Sequence, residues 1–346
     1  MKDFGTGGNR GNRVKIDEEN MIRFGILGAG RIGPEALVRP ALASGGEVRV
    51  ETVAARDAAR AGDFARRFGI PRAAAGYAEL VEDKGIDAVY VALPNSLHAE
   101  WSIRALEAGK HVLCEKPMAC NAPEAQRMAD AAAGAGRILA EAFHYRYHPL
   151  VLRMKEIVAG GELGELRHIE AHFCAPLWRR SDIRYRYDLG GGATMDLGCY
   201  CINLIRFLAG AEPEAAAARA RLASPQVDRY MEADYRLPSG ATARMTCSLW
   251  SRVLLRTWAV ARGIHGELRV WMPFQPHYFH RLKVRVGGGT RVERFSRERS
   301  YAWQLRAFAA AARGGAPIAT TAADAVSNMR VIDTVYGKAG LKARGG

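Results

Sequence analysis

The stretch Arg23-Phe24-Gly25-Ile26-Leu27-Gly28-Ala29-Gly30-Arg31-Ile32-Gly33 constrains the fold more than any other part of the chain. A short apolar run enters a glycine-rich turn, and Pro34 stands where a helix would open, a position that suits its fixed φ and missing N–H. In a strand–turn–helix of this kind Gly28 permits the tight turn, Gly30 lets the backbone approach a pyrophosphate, and Gly33 allows close packing of helix on strand. The free N–H groups and dipole of the helix start then favour an anion. Alone, the pattern also fits an ordinary strand–turn–helix, and the segments downstream decide between the two.

Downstream, strand and helix patterns alternate. Strands are expected at residues 48–55, 86–93, 111–114 and 138–143. Helices are expected at 34–44, from the cap residue Asp57 through 67, and at 77–82, 96–108 and 123–133, with Pro40 perturbing the first. This β-α-β alternation over residues 21–143 predicts a parallel, doubly wound sheet with right-handed crossovers. The loops at Gly28, Arg56, Pro94 and Lys116 should share the carboxyl edge where such sheets bind ligands. Over residues 144–315 the pattern shifts to strands at 166–173, 215–223, 230–237, 241–249, 255–262, 268–271, 282–286 and 291–295. Hairpin turns are expected at Pro238-Ser239-Gly240 and Gly287-Gly288-Gly289. Helices are expected at 148–159, 195–208 and 303–312. The fold class is therefore α/β, a doubly wound parallel sheet followed by an α+β domain with a large, mostly antiparallel open sheet. Residues 1–20 read as a disordered tail, and residues 316–346 as a C-terminal helix and tail.

No stretch approaches the roughly 18 uncharged apolar residues of a membrane span, and the N-terminus lacks a signal-peptide core. A cytoplasmic location and no membrane partner are the expectations. The net charge of +14 invites a nucleic-acid reading. Only nine of the 50 basic residues are lysines, however, and the arginines are scattered rather than gathered in a stripe, which argues against nucleic acid. Six cysteines, at 114, 120, 174, 199, 201 and 247, form no C-x-x-C pair, so reduced thiols and no metal site are expected.

The second strand decides which dinucleotide. Where an acidic residue would hold the ribose 2′-hydroxyl of NAD, the sequence reads Val53-Ala54-Ala55-Arg56-Asp57, with Arg60 one turn on. Arginine grips a 2′-phosphate bidentately where a carboxylate would repel it. Asp57 reads as the helix cap, and NADP is preferred over NAD.

Two other stretches carry chemistry. Leu93-Pro94-Asn95-Ser96-Leu97-His98 and Glu115-Lys116-Pro117 fall at the ligand edge, where Lys116 would be partly desolvated and in need of an anionic or polar partner. His98 reads as a helix-start residue near the cofactor. In Gly190-Gly191-Gly192-Ala193-Thr194-Met195-Asp196-Leu197-Gly198-Cys199-Tyr200, Asp196 and Tyr200 are four apart on one helical face. Taken alone, Asp196 serves equally as a cap and Tyr200 as core.

Together these segments resemble the Gfo/Idh/MocA oxidoreductases over about residues 21–336, through Pro94-Asn95-x-x-His98, Arg146-Tyr147-x-Pro149 and Asn328-Met329. The motifs are most similar to the branch of glucose–fructose oxidoreductase and the dimeric dihydrodiol dehydrogenases. The resemblance implies a Rossmann domain and a second domain whose open sheet mediates homo-oligomerisation. It implies NADP-dependent hydride transfer to or from a carbinol or carbonyl carbon of a sugar, polyol or vicinal diol. Lys116 and Asp196 match the family's catalytic lysine and acid, and Tyr200 the general acid/base position. Gly28, Gly30, Arg31, Ile32, Gly33, Arg56, Arg60, Leu93, Pro94, Asn95, His98, Glu115 and Lys116 are expected around the cofactor. Arg146, Trp178, Arg179, Arg184 and Tyr185 are expected as the substrate wall. A free tyrosine titrates near about 10, and a Lys116 ammonium beside Tyr200 is expected to lower that value. A ligand-sensing protein of the same fold and a nicotinamide-dependent glycoside hydrolase stay open as alternatives.

Overall fold

A computed structural model describes residues 21–345; the tail expected over residues 1–20 lies outside the described residues. Six strands form the first sheet: β1 (Ile22–Leu27), β2 (Val48–Ala54), β3 (Arg72–Ala73), β4 (Ala88–Val91), β5 (His111–Cys114) and β6 (Leu139–Glu141). All pair in parallel, in the order β3-β2-β1-β4-β5-β6. All four residues of β4 are buried, as its apolar run requires of a strand covered on both faces. The strand order reverses between β1 and β4, so the glycine turn after β1 opens at the switch point. β3 is the strand the sequence pattern does not show, because it is two residues long and both are exposed.

The intervening helices are α1 (Arg39–Leu42), α2 (Ala58–Phe68), α3 (Tyr77–Glu82), α4 (His98–Glu107) and α5 (Ala122–Ala135). Asp57 caps α2 by accepting from the N–H groups of Ala59 at 2.9 Å and Arg60 at 3.5 Å. The perturbation expected from Pro40 takes the form of a π-type turn over Pro34–Val38, in which the Arg39 N–H reaches back to the Pro34 oxygen. Pro40 has no N–H with which to continue an ordinary ladder.

The second unit opens with α6 (Pro149–Ala159) and β7 (Leu166–Cys174), then α7 (Cys199–Ala209), β8 (Glu214–Ser224), β9 (Val227–Arg236), β10 (Thr242–Ser248), β11 (Arg256–Gly263), β12 (Gly266–Trp271), β13 (Arg281–Val286) and β14 (Gly289–Glu293). These strands form an eight-stranded sheet in the order β14-β13-β12-β11-β7-β10-β9-β8, antiparallel except for the β7–β10 pair. Alternation along the strands puts Ile169, Ala171, Phe173, Ala259 and Ala261 into the core. On the opposite face lie Trp258 against His172, and ion pairs of Glu170 with Arg262 and of Asp234 with Arg244.

Two closing helices, α8 (Ser300–Ala312) and α9 (Ala322–Lys338), tie the units together. α8 packs Tyr301, Leu305 and Phe308 into the core of the first sheet, with Phe308 5.4 Å from Phe24 between ring centroids. α9 lies against α5, α7 and β8, and Asp333 on it accepts the Ala122 N–H at 2.8 Å. Among the described residues no helix is long and apolar enough to cross a membrane.

Candidate active site

A cleft of about 680 Å³ runs along the carboxyl edge of the first sheet and is closed on its other side by the second unit. That is the size of a small-molecule site. The two walls touch where Asn95 Nδ2 donates to the Gly190 oxygen at 2.9 Å. Of the residues expected around a cofactor, Gly28, Gly30, Arg31, Ile32, Arg56, Arg60, Leu93, Pro94, Asn95, Glu115 and Lys116 all line it, as do Asp196 and Tyr200 from the facing wall.

The glycine turn is shaped for a dinucleotide. Gly28 has φ +108°, and a Cβ there would lie 2.5 Å from the Ala92 oxygen. A Cβ on Gly30 would meet only that oxygen, at 3.9 Å, so open space adjoins its backbone on the cleft side. Gly33 lies behind the lining; a Cβ on it would sit 3.2 Å from the Phe64 ring, so it serves helix packing. Arg56 and Arg60 are exposed at the cleft, and among the described residues neither guanidinium has an ion-pair or hydrogen-bond partner. Two unpaired arginines and an open glycine cradle fit a phosphorylated dinucleotide.

At the other end Lys116, leaving β5, is held by a single residue. Its Nζ donates to Asp196 Oδ1 at 2.9 Å and to the Asp196 main-chain oxygen at 2.8 Å. Burial pulls the ammonium down, but Asp196, Cys199 and Glu115 outweigh it, and its pKa lies above the usual lysine value. Arg184 Nε takes the second carboxylate oxygen of Asp196 at 2.8 Å. Burial opposes ionisation of Asp196, yet these two cations hold its pKa down at about 2. Asp196 reaches both because a second π-type turn, Thr194–Gly198, precedes α7.

The Lys116 ammonium lies 5.0 Å from the Tyr200 ring centroid, within cation–π range. Phe143, Phe173 and Phe274 pack around that ring with centroids 5.1–5.6 Å away. This corrects one expectation. The Tyr200 pKa is not lowered: burial in the aromatic shell, with Tyr301 and Glu115 nearby, pushes it well above the ordinary tyrosine value. Among the described residues no group hydrogen-bonds its hydroxyl.

Several expected residues lie elsewhere. His98 is fully buried outside the cleft lining, its Nδ1 3.0 Å from the Pro117 oxygen and its Nε2 2.9 Å from the Leu93 oxygen. It joins two cleft loops from behind. Of the expected substrate wall, Arg179 and Arg184 line the cleft; Arg146, Trp178 and Tyr185 do not. Arg146 is buried, bonds Asn203 Oδ1 at 3.2 Å and Asp324 at 3.3 Å, and covers the Phe207 ring. It belongs to the packing of α7 on α9. Trp178 packs against Trp250 at 4.2 Å, and the Tyr185 hydroxyl donates to the Leu177 oxygen at 2.8 Å.

Two family models cover most of the described chain. That of the oxidoreductase family with an NAD-binding Rossmann fold matches residues 22–143, and that of the GFO/IDH/MocA C-terminal domain matches residues 151–269. The chain belongs to the Gfo/Idh/MocA oxidoreductase family. A D-xylose 1-dehydrogenase (NADP(+)) of Haloferax volcanii is 36% identical over 91% of this chain and 96% of its own length. A trans-1,2-dihydrobenzene-1,2-diol dehydrogenase of Mus musculus is 33% identical over 73% of this chain and 76% of its own. A crystal structure of a 3-ketoreductase from Actinomadura kijaniata in complex with NADP and TDP-benzene superposes with a TM-score of 0.84, at 31% identity, covering 92% and 98% of the two chains.

In this Gfo/Idh/MocA oxidoreductase some cleft residues had no motif to announce them. Tyr77 lies beside Arg56 and Arg60, and Tyr301 reaches the cleft from α8. Asp182, from the segment expected as the substrate wall, does line the cleft and links the two walls, accepting from Arg184 at 3.1 Å and pairing with Arg31 at 3.4 Å. Tyr90 donates to Glu115, on the strand end that carries Lys116. Tyr77 and Tyr301 reach the cleft through contacts between segments far apart in the sequence, and Tyr90 is buried behind its lining.

Proposed function

We propose that this protein is an NADP-dependent oxidoreductase moving hydride between nicotinamide and a carbinol or carbonyl carbon of a sugar, polyol or vicinal diol. The observation that carries this reading is the Lys116–Asp196 pair, set against the Tyr200 ring in the same cleft as the glycine turn and the free Arg56 guanidinium. The NADP-dependent xylose enzyme and the dihydrodiol enzyme among the relatives support the substrate class and the cofactor.

The backbone of the Gly28–Gly33 turn holds the pyrophosphate, and Arg56 with Arg60 holds the 2′-phosphate. When bound, NADP supplies the hydride donor or acceptor at its nicotinamide ring. The chain supplies the rest. Lys116 has three N–H donors and spends two on Asp196. The third remains for the substrate oxygen, whose developing negative charge it stabilises. Tyr200 stays protonated at neutral pH and gives its proton to that oxygen in reduction, leaving a phenolate that takes a proton back from solvent; oxidation starts from the minor phenolate form, which accepts the carbinol proton. The aromatic shell around Tyr200 keeps bulk water from the reacting carbon.

The test is net change at the reduced-nicotinamide absorbance band with NADP⁺ and a panel of D-xylose, polyols, vicinal diols and aryl glycosides. Net reduction is expected. Product without net change would support a glycosidase, and binding without product a sensor. The open face of the eight-stranded sheet, with Trp258 and its ion pairs, supports self-association into a homo-oligomer, which light scattering checks. Six free cysteines support a reducing, cytoplasmic location.

A further inference from the structure

The proposed chemistry leaves one set of buried charges without a role. Arg344 and Asp228 are both fully buried and form an ion pair of 3.0 Å. Asp228, on β9, accepts from the Thr194 N–H at 2.8 Å and the Thr194 hydroxyl at 2.7 Å through Oδ2. Its Oδ1 accepts from the Tyr336 hydroxyl at 2.9 Å as well as from Arg344. A carboxylate offers about four acceptor sites, and these donors fill them. Arg344 also donates from Nε to the Gly191 oxygen at 2.8 Å, and its guanidinium lies 4.1 Å from the centre of the Tyr336 ring.

Three of these bonds end on Gly191 and Thr194, in the wall of the cleft and at the start of the π-type turn that carries Asp196. Gly192, between them, has φ +137°. A Cβ there would lie 2.8 Å from the Tyr336 hydroxyl and 2.9 Å from Arg344. The Gly192 oxygen in turn accepts the Asp196 N–H at 3.0 Å. A buried ion pair is a poor device for stability alone, because apolar replacements of the same shape often serve as well. What it does fix is one arrangement of the groups it joins.

We infer that Arg344 and Asp228 are positioning residues: they lock residues 191–194 so that Asp196 meets Lys116. Their importance for turnover rests on the reading of Lys116 and Asp196 given above, but the geometry is testable without turnover. Segment 341–345, remote in sequence from every catalytic candidate, thereby becomes part of the active-site frame.

The test is the rate of Lys116 acetylation by acetic anhydride in the intact protein, read by mass spectrometry with the exposed Lys84 as internal reference. Amide exchange over residues 192–199 is followed in parallel. In native protein Lys116 is held by Asp196 and reacts slowly. Arg344→Met, close in length but unable to donate, is expected to raise its rate about tenfold, as for eased local opening, with Lys84 unchanged. Arg344→Lys, which keeps the charge without the forked contacts, falls between. Thr194→Val is isosteric and deletes one donor to Asp228, so it serves where Arg344→Met does not fold; a smaller rise in the same direction is expected. A Lys116 rate within about twofold of native in the folded variants would overturn the inference. So would faster amide exchange at 192–199 with Lys116 unchanged, the mark of a purely structural clamp. A wrong assignment of the reaction would show instead as full turnover in Lys116→Met, with these labelling rates unaffected.

Discussion

Lys116 is tied twice to Asp196, through the carboxylate at 2.9 Å and the main-chain oxygen at 2.8 Å, although 80 residues separate them. The first comes from the dinucleotide-binding sheet and the second from the start of α7, so the pair forms only when both units are docked. Replacing Lys116 by Met removes the ammonium while Arg184 still pairs with Asp196. Single-turnover hydride transfer should fall by at least about 100-fold, with NADPH affinity changed far less and the thermal melt still cooperative.

Tyr200→Phe deletes the hydroxyl proposed as proton donor while keeping the ring that packs against Phe143, Phe173 and Phe274. The chemical step should slow by about 100- to 10,000-fold. Because burial raises the Tyr200 pKa, the phenol remains protonated through neutral pH. Carbonyl reduction should therefore be flat with pH across the neutral range and decline only in strong alkali, as the donor is lost. A pH–rate profile of the native enzyme that declines already at neutral pH would place the proton on another group.

Arg56→Ala removes a cleft guanidinium that has no ion-pair or hydrogen-bond partner among the described residues. NADPH binding should weaken by about 10- to 100-fold, the range of a charge-assisted phosphate contact, with NADH binding nearly unchanged. Fluorescence titration with both cofactors checks the difference, and equal losses would remove the 2′-phosphate assignment.

Two buried acids should shape stability against pH in opposite senses. The Asp196 pKa is lowered to about 2, so its contribution is present above the ordinary carboxylate value and is lost as pH falls through about 2. It amounts to about 2 kcal/mol, which Asp196→Asn should forfeit at neutral pH. Glu141 is fully buried, accepts the Met118 N–H at 2.9 Å and is raised by burial to about 8. It favours the folded state below the ordinary carboxylate value, and that advantage is lost progressively as pH rises toward 8, by about 1.4 kcal/mol per pH unit at most. Glu141→Gln should be near neutral at pH 5 and stabilising at pH 8 in urea melts.

Much of the fold was legible because local signals agreed. The glycine turn, the Asp57 cap and the apolar run of β4 each name their element, and the glycine hairpins place the antiparallel strands. Lys116, Asp196 and Tyr200 were legible as a resemblance to a family motif, and the structure brings them into one cleft. Electrostatics were not legible. Proximity of Lys116 suggested a lowered Tyr200 pKa, but the shell of Phe143, Phe173 and Phe274 lies in segments that sequence spacing does not connect, and burial prevails. Arg146 is likewise withdrawn from substrate by its contacts with Asn203 on α7 and Asp324 on α9, which no sequence spacing announces. The Arg344 clamp had no signal, since one arginine near a basic segment resembles any other.

Net hydride transfer with NADP is read without ambiguity by isotope transfer. The enzyme is incubated with NADP⁺ and sugars, polyols or vicinal diols deuterated at the reacting carbon, and the reduced cofactor is weighed. Deuterium is expected in the NADPH from at least one of these substrates, and none with Lys116→Met. Product formed while NADP⁺ is returned unreduced would rule out net hydride transfer, and the same labelled NADPH from Lys116→Met would rule out Lys116 as a catalytic group.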